Sequence, residues 1–241
     1  MKLRNWRELI PEEVKQVYQR AGFGARLGFG DRPALLVIDM QLAQIGDKPE
    51  PVLDSVQNYP LSAGEAGWAA LEKIKEILEA SRAAGIPVIY TMIEHEPFDR
   101  GLWKSKMPPA GKPSETTADA KAIVKDIAPE RVDVIIRKKR SSAFFGTPLL
   151  SYLHHMKVDT LLITGCTTGS CIRTTVLDAS QNNFYPVIVE ECVFDRSWIM
   201  HAYNLFEMDV KWADVVALNQ VQEYLRGLKL QNKNGGTCGA V

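Results

Sequence analysis

Six short runs of aliphatic and β-branched residues punctuate the chain and constrain its fold more than any other feature. They are 34–39 (ALLVID), 87–93 (PVIYTMI), 133–137 (DVIIR), 159–164 (DTLLIT), 186–190 (PVIVE) and 213–217 (ADVVA). Between them lie longer segments whose apolar residues recur at helical spacing. In 65–84, Trp68, Leu71, Ile74, Ile77 and Leu78 share one face, and Gly85-Ile86-Pro87 stops the helix before the next run. Shorter helices are expected at 147–156, 169–182, 198–207 and 217–227. Strands joined through helices call for right-handed crossovers, and near-continuous apolar strands suit a sheet covered on both faces. The expected fold is α/β, a three-layer αβα arrangement around a six-stranded, mainly parallel sheet.

A chain of 241 residues with 46% hydrophobic content can bury one sizeable core, expected here over 23–229. Residues 1–22 read as a helical arm, with Pro11 at a first helical position and Gly22 past its end. The polar, Gly-rich end (QNKNGGTCGAV, 231–241) reads as part of a disordered tail over 230–241. Residues 94–118 carry Pro97, Pro108, Pro109 and Pro113 with Gly101 and Gly111, too long for a plain connector and suited to a lid over a site. Lys plus Arg and Asp plus Glu both number 29, so no net field draws nucleic acid or an anionic membrane, and the expected partner is a small molecule. No apolar run approaches the roughly 20 residues of a membrane span, and the expected location is cytoplasmic. Cys166, Cys171, Cys192 and Cys238 are too few for a disulfide framework, and the first two lack a zinc-site spacing, so free thiols and no structural metal are expected.

In an open parallel sheet, ligands collect where strands end and helices begin. Asp39 closes the first strand, Lys138 follows the third, and Cys171 lies just past the fourth. Taken singly, each has a plainer reading as a cap, a solvated edge residue or a small core hydrophobe. Brought together, they are an acid, a cation and a thiol, the set that nucleophilic catalysis by cysteine requires. A thiol of pKa near 8.5 is only about 3% ionised at pH 7, so full ionisation is worth roughly thirtyfold in rate. Lys138 and the helix N-terminus would both place positive charge beside the sulfur. Backbone N–H donors aimed at a developing oxyanion are worth more, on the order of 10² to 10³. In "GCTTGSC", Gly165, Thr167, Thr168, Gly169 and Ser170 are small enough to let a carbonyl approach that backbone.

The segments "PALLVIDMQ" (33–41), "KKRSSAFFGTPL" (138–149), "TGCTTGSCIRTTVLDA" (164–179) and "DRSWIMHAYNLFEMDVKWADVV" (195–216) together resemble the isochorismatase-like cysteine hydrolases. The likeness is to the branch that contains N-carbamoylsarcosine amidohydrolase and maleamate amidohydrolase. It implies a catalytic triad of Asp39, Lys138 and Cys171, a non-proline cis peptide just before Thr167, and an oxyanion hole made of the Thr167 and Cys171 amides. The nicotinamidase branch carries an Asp-x-His metal motif, whereas this chain reads Gln41 to Asp47 with no His before His95, so neither a metal nor another cofactor is expected. Arg196 matches a position that binds substrate carboxylate in the carbamoylsarcosine branch, and reads equally as a structural ion pair with Asp195 or Glu191. Arg140 and Ser142 are expected to be scaffolding, Cys166 a buried wall of the pocket, and His95, His154, His155 and His201 fit no Cys–His pairing.

The expected function is a cysteine-dependent amidohydrolase that releases ammonia from a small carbamoyl or carboxamide compound bearing a carboxylate. A maleamate-type amidase and a hydrolase of a ring-opened N-heterocycle stand beside it. A dinucleotide-binding domain fails for want of a G-x-G-x-x-G turn after the first strand. A redox-sensing or binding protein on the same fold, with Cys171 as an oxidisable thiol, is the rival outside the hydrolases. Trp6, Leu9, Ile10, Val14, Val17 and Tyr18 give the arm more apolar surface than a free helix exposes, and relatives in this family are commonly dimers or tetramers. A homo-oligomer, a tetramer or dimer with the arm docked on a neighbour, is therefore expected.

Overall fold

The computed structural model describes residues 5–94 and 118–234, with Leu102 and Lys106 between them. In chain order, a 3₁₀ turn (Trp6–Glu8) and α1 (Glu12–Arg20) lead into β1 (Pro33–Ile38). Then come α2 (Leu42–Ile45), α3 (Val52–Asn58), α4 (Glu65–Ala84), β2 (Val88–Ile93), α5 (Ala118–Lys121) and β3 (Val134–Lys138). After these follow α6 (Leu149–His155), β4 (Thr160–Cys166), α7 (Arg173–Gln181), β5 (Tyr185–Phe194), α8 (Trp198–Lys211), β6 (Asp214–Val216) and α9 (Leu218–Asn234). Each expected strand is present, and α4 has the expected bounds, closed by Gly85 in a left-handed conformation (φ 73°).

The sheet runs β3-β2-β1-β4-β5-β6, and every neighbouring pair is parallel. Side chains alternate along each strand, so the sheet feeds two cores. Leu36, Ile38, Leu161, Ile163 and Ile188 pack against Leu149 of α6, Val176 of α7 and Leu205 of α8. Leu35, Val37, Leu162, Val187 and Val189 pack against Leu71, Ile74 and Ile77 of α4 and Val221 of α9. Both faces being covered, β1 and β4 are buried along their whole length, in keeping with their largely apolar sequences.

Successive strands step one way from β1 to β3 and the other way from β4 to β6. The crossovers therefore diverge between β1 and β4 and leave a crevice at the carboxyl ends of the strands. Registers place Ile38 opposite both Thr91 and Gly165, and Ile93 opposite Lys138. Asp39, one residue beyond that row, thus stands at the crevice floor. Gly165 permits the arrangement: at φ 102° it is unsuited to a side chain, and a Cβ there would lie 2.0 Å from the Ile38 carbonyl oxygen.

Two expectations about the chain ends are corrected. Of the apolar residues expected to dock the arm on a neighbour, Trp6 (2% exposed) and Ile10 (6%) are instead buried in this chain's own core. Arg7 pairs with Glu190 at 2.8 Å, and the Tyr18 ring meets Phe206 edge-on at 5.4 Å. The groove they fill is one the sequence does not reveal, because α8 and β5 that line it lie some 180 residues away. Pro11 takes the capping position, extended at ψ 141°, and α1 starts at Glu12. Leu9, Val14, Val17, Phe23 and Leu27 remain exposed. At the other end, α9 continues to Asn234, past both 227 and the expected tail boundary at 230, since no glycine or proline interrupts Leu228 to Asn234. Most of the segment expected to form a lid lies outside the described residues, as do His95 and Cys238. Among the described residues no helix is long and apolar enough to cross a membrane.

Replacing Gly165 tests the β1–β4 approach. Gly165→Ala is expected to lose about 3 kcal/mol or more of stability in urea unfolding, because the new methyl group meets backbone that cannot move aside. A loss under about 1 kcal/mol would mean the strand ends can separate freely.

Candidate active site

The side chains expected to carry chemistry meet at the crevice. Asp39 leaves β1 in a left-handed conformation (φ 51°), which Asp tolerates better than most residues and which turns the chain sharply at the floor of the site. Its amide donates to the Thr91 carbonyl at 3.1 Å, and the Thr91 hydroxyl donates to Asp39 Oδ1 at 2.6 Å. Oδ2 faces Lys138 Nζ at 2.7 Å and is the carboxylate oxygen not engaged by the Thr91 hydroxyl, which leaves it as the oxygen able to take or give a proton.

Lys138 is fully buried, and its ammonium is surrounded by acceptors. Besides Asp39, it reaches the Arg140 carbonyl at 3.1 Å, the Ser141 carbonyl at 2.9 Å and Cys171 Sγ at 3.3 Å. Burial works to lower its pKa, but Asp39 and then Cys171 outweigh burial and the net direction is up. The lysine therefore stays charged and acts as a fixed point charge. Its loop is sewn to α7, the helix that follows Cys171. Ser142 Oγ donates to Asp178 Oδ2 at 2.5 Å, and the Ala143 amide donates to Thr175 Oγ1 at 3.0 Å. Ser142 thus ties the loop to α7.

Cys171 sits in a wide π-type turn, 168–172, that joins β4 to α7. The peptide bond between Cys166 and Thr167 is cis, at the position that the resemblance implied. The amides of Ser170 and Ile172 both return to the Thr167 carbonyl, at 3.0 and 3.2 Å, closing the turn on either side of Cys171. Cys166 is fully buried, its Sγ 3.4 Å from the Asp39 carbonyl.

One electrostatic expectation holds in direction for Lys138 but is outweighed. Lys138 and the helix N-terminus were expected to lower the Cys171 pKa. Instead burial first, and then the Asp39 carboxylate, push it up to about 12, with Lys138 only partly opposing them. Desolvation penalises a thiolate deep in the crevice more than one cation at 3.3 Å favours it. Burial thus favours the thiol form of Cys171 beside the Asp39–Lys138 salt bridge.

Arg196 lies on the segment after β5. Its guanidinium donates to the Leu61 carbonyl, and its positive charge reaches Cys166. Neither expected ion-pair partner takes that guanidinium: Asp195 Oδ1 accepts the Arg196 backbone amide at 2.8 Å, and Glu191 accepts the Leu218 amide at 2.8 Å. Among the described residues no three His, Cys, Asp or Glu side chains form a metal-binding group.

Sequence reasoning missed the residues that hold the turn. Asp195 Oδ2 accepts the Gly169 amide at 2.8 Å, and buried His201 shares a 2.8 Å hydrogen bond with the Thr168 hydroxyl while stacking on Trp198. Burial lowers the His201 pKa to about 4, against the ordinary 6.5 of an unfolded imidazole. Between those values the unfolded chain binds more protons than the folded one. The contribution is therefore fully present above pH 6.5 and is lost as pH falls through 4. In urea unfolding the wild type is expected to lose about 2 to 3 kcal/mol more than His201→Gln between pH 7 and pH 4. Equal losses would mean that this imidazole is protonated in the fold.

Comparison with known proteins agrees with the geometry. The isochorismatase domain model matches residues 33–220. Maleamate amidohydrolase of Pseudomonas putida is 36% identical over 209 residues, 86% of this chain and 92% of that protein. N-carbamoylsarcosine amidase of an Arthrobacter species is 36% identical over 225 residues, 90% of this chain and 80% of that protein. In three dimensions, a cysteine hydrolase from Pseudomonas syringae pv. phaseolicola superposes with a TM-score of 0.69 at 19% identity, covering 86% of this chain and 98% of that one, a likeness of fold. The chain belongs to the isochorismatase family.

Proposed function

We propose that the protein is a cysteine-dependent amidohydrolase that cleaves the terminal C–N bond of a small carbamoyl or carboxamide acid and releases ammonia. The observation that carries this reading is the buried contact of Lys138 Nζ with both Asp39 Oδ2 (2.7 Å) and Cys171 Sγ (3.3 Å). Maleamate and N-carbamoylsarcosine, named for the two relatives, both combine a –CO–NH₂ group with a carboxylate. Their common chemistry supports that substrate class.

Because burial favours the thiol over the thiolate, attack and deprotonation go together. Asp39 Oδ2 takes the proton of Cys171 as the sulfur bonds to the carbonyl carbon, and the amides of Thr167 and Cys171 receive the oxyanion. Collapse of the tetrahedral adduct breaks the C–N bond, and the proton on Asp39 leaves with the nitrogen as ammonia. Water then attacks the acyl-sulfur carbon and gives one proton to Asp39. The C–S bond breaks, and that proton returns to the thiol. A carboxamide yields its acid, and a carbamoyl compound yields a carbamate that falls apart to carbon dioxide and amine. Lys138 keeps its charge throughout, so the pair of Asp39 and Cys171 never loses its counter-ion. The Arg196 guanidinium anchors the substrate carboxylate.

Ammonia release from N-carbamoylsarcosine and from maleamate tests the reading directly, and turnover of neither acid would remove its support. Arg196→Ala is expected to lower kcat/KM about 30- to 1,000-fold for the acid that is turned over, and far less for a neutral analogue lacking the carboxylate. Equal losses on both would leave Arg196 only its bond to Leu61.

A further inference from the structure

Beside the triad stands a carboxylate that the proposed chemistry leaves without a task. Asp195 lies between β5 and α8, and its two oxygens do different things: Oδ2 accepts the Gly169 amide at 2.8 Å, and Oδ1 accepts the Arg196 amide at 2.8 Å. Gly169 is two residues before Cys171, inside the nucleophile turn, and Arg196 is the cation of the proposed substrate anchor. The contact is close by construction. A Cβ on Gly169 would lie 3.3 Å from Asp195 Oδ2 and 2.9 Å from Asn204 Nδ2, so glycine is what lets the turn settle onto the carboxylate.

A carboxylate is an unexpected neighbour for a site meant to receive an anion, because it offsets positive potential at the turn. Its retention there calls for a positional gain. Charge-assisted hydrogen bonds to backbone amides fix geometry more tightly than neutral ones, and misplacement of a nucleophile by about 1 Å is enough to lose on the order of a hundredfold in rate. We infer that Asp195 is a positioning residue: by holding the Gly169 and Arg196 amides on one carboxylate, it sets the distance between the Cys171 turn and the carboxylate anchor. The inference rests on the proposed function for its anchor, while the bond to Gly169 stands on geometry alone. His201 of α8 holds the neighbouring Thr168 side chain, so the turn is gripped at two successive residues, by a side-chain hydrogen bond from α8 at Thr168 and, from the segment before α8, a backbone one at Gly169.

Two variants separate positioning from bulk stability. Asp195→Asn keeps the shape but offers one acceptor oxygen to two amides, and Asp195→Glu keeps the charge but moves it by one methylene. For each, kcat per folded enzyme on N-carbamoylsarcosine or maleamate is expected to fall roughly 10- to 100-fold while KM stays within about threefold, since the Arg196 guanidinium is untouched. Cys171 alkylation by iodoacetamide supplies a readout that needs no substrate. As the turn loosens and water reaches the sulfur, the pH midpoint of alkylation is expected to move down by about one unit or more. A kcat within about twofold of wild type, a loss confined to KM, or an unshifted alkylation profile would each overturn the inference. If the wild type releases no ammonia from either acid, the functional reading fails, and the alkylation profiles still decide the role of Asp195. Either variant alone is sufficient should the other not fold.

Discussion

The buried ion pair of Asp39 and Lys138 is the constraint around which the crevice is arranged. Two opposite charges taken out of water are stable only if each finds acceptors or donors, and here Lys138 has two carbonyls and a sulfur besides its carboxylate, while Asp39 has the Thr91 hydroxyl. Such a pair adds little net stability over apolar residues of the same volume, whereas removing one partner strands a buried charge at about 3 to 5 kcal/mol. Its presence at the carboxyl end of the sheet is therefore better explained by chemistry than by folding. It places a lone pair on Oδ2 beside a thiol that burial keeps protonated, and the cation remains to offset whichever of the two groups is ionised.

The sheet supplies the precision. Asp39, Lys138 and Cys171 come from three strand ends spread over more than 130 residues, yet the registers of β1 with β2 and β4, and of β2 with β3, fix all three against one another. Gly165 lets β4 close on β1, and the bonds from Ser142 to Asp178 and from Ala143 to Thr175 hold the lysine loop to α7. The Cys171 turn is thus supported from the side of α7 and, through Asp195 and His201, from the side of α8. No part of it depends on the flexibility of a long side chain except the Lys138 stem, and that stem is fully buried.

The layout of this site was legible in the sequence because strand ends are legible. Periodicity locates the strands, parallel topology brings their carboxyl ends together, and Asp39, Lys138 and Cys171 are the reactive residues at those ends. The protonation state was not legible. Sequence shows which charges are near the sulfur but not how much water is excluded from it, and exclusion of water is the larger effect. Thr91, Asp178, Asp195 and His201 escaped notice for a related reason: each is a common residue type on an ordinary element, and only its partner across the fold distinguishes it. The arm shows the same limit, since an apolar face says that Trp6 and Ile10 must be covered without saying that α8 and β5 of the same chain cover them.

Central to the account is the claim that the carbon–nitrogen bond is broken by the Cys171 sulfur acting through Asp39. Ammonia release by Cys171→Ala is the most direct test, because the change replaces one small buried side chain by another and leaves the ion pair in place. Turnover below about 0.1% of wild type, with thermal unfolding nearly unchanged, is the expected result. Turnover above a few per cent in the folded variant would contradict it and return Cys171 to the role of a small core residue.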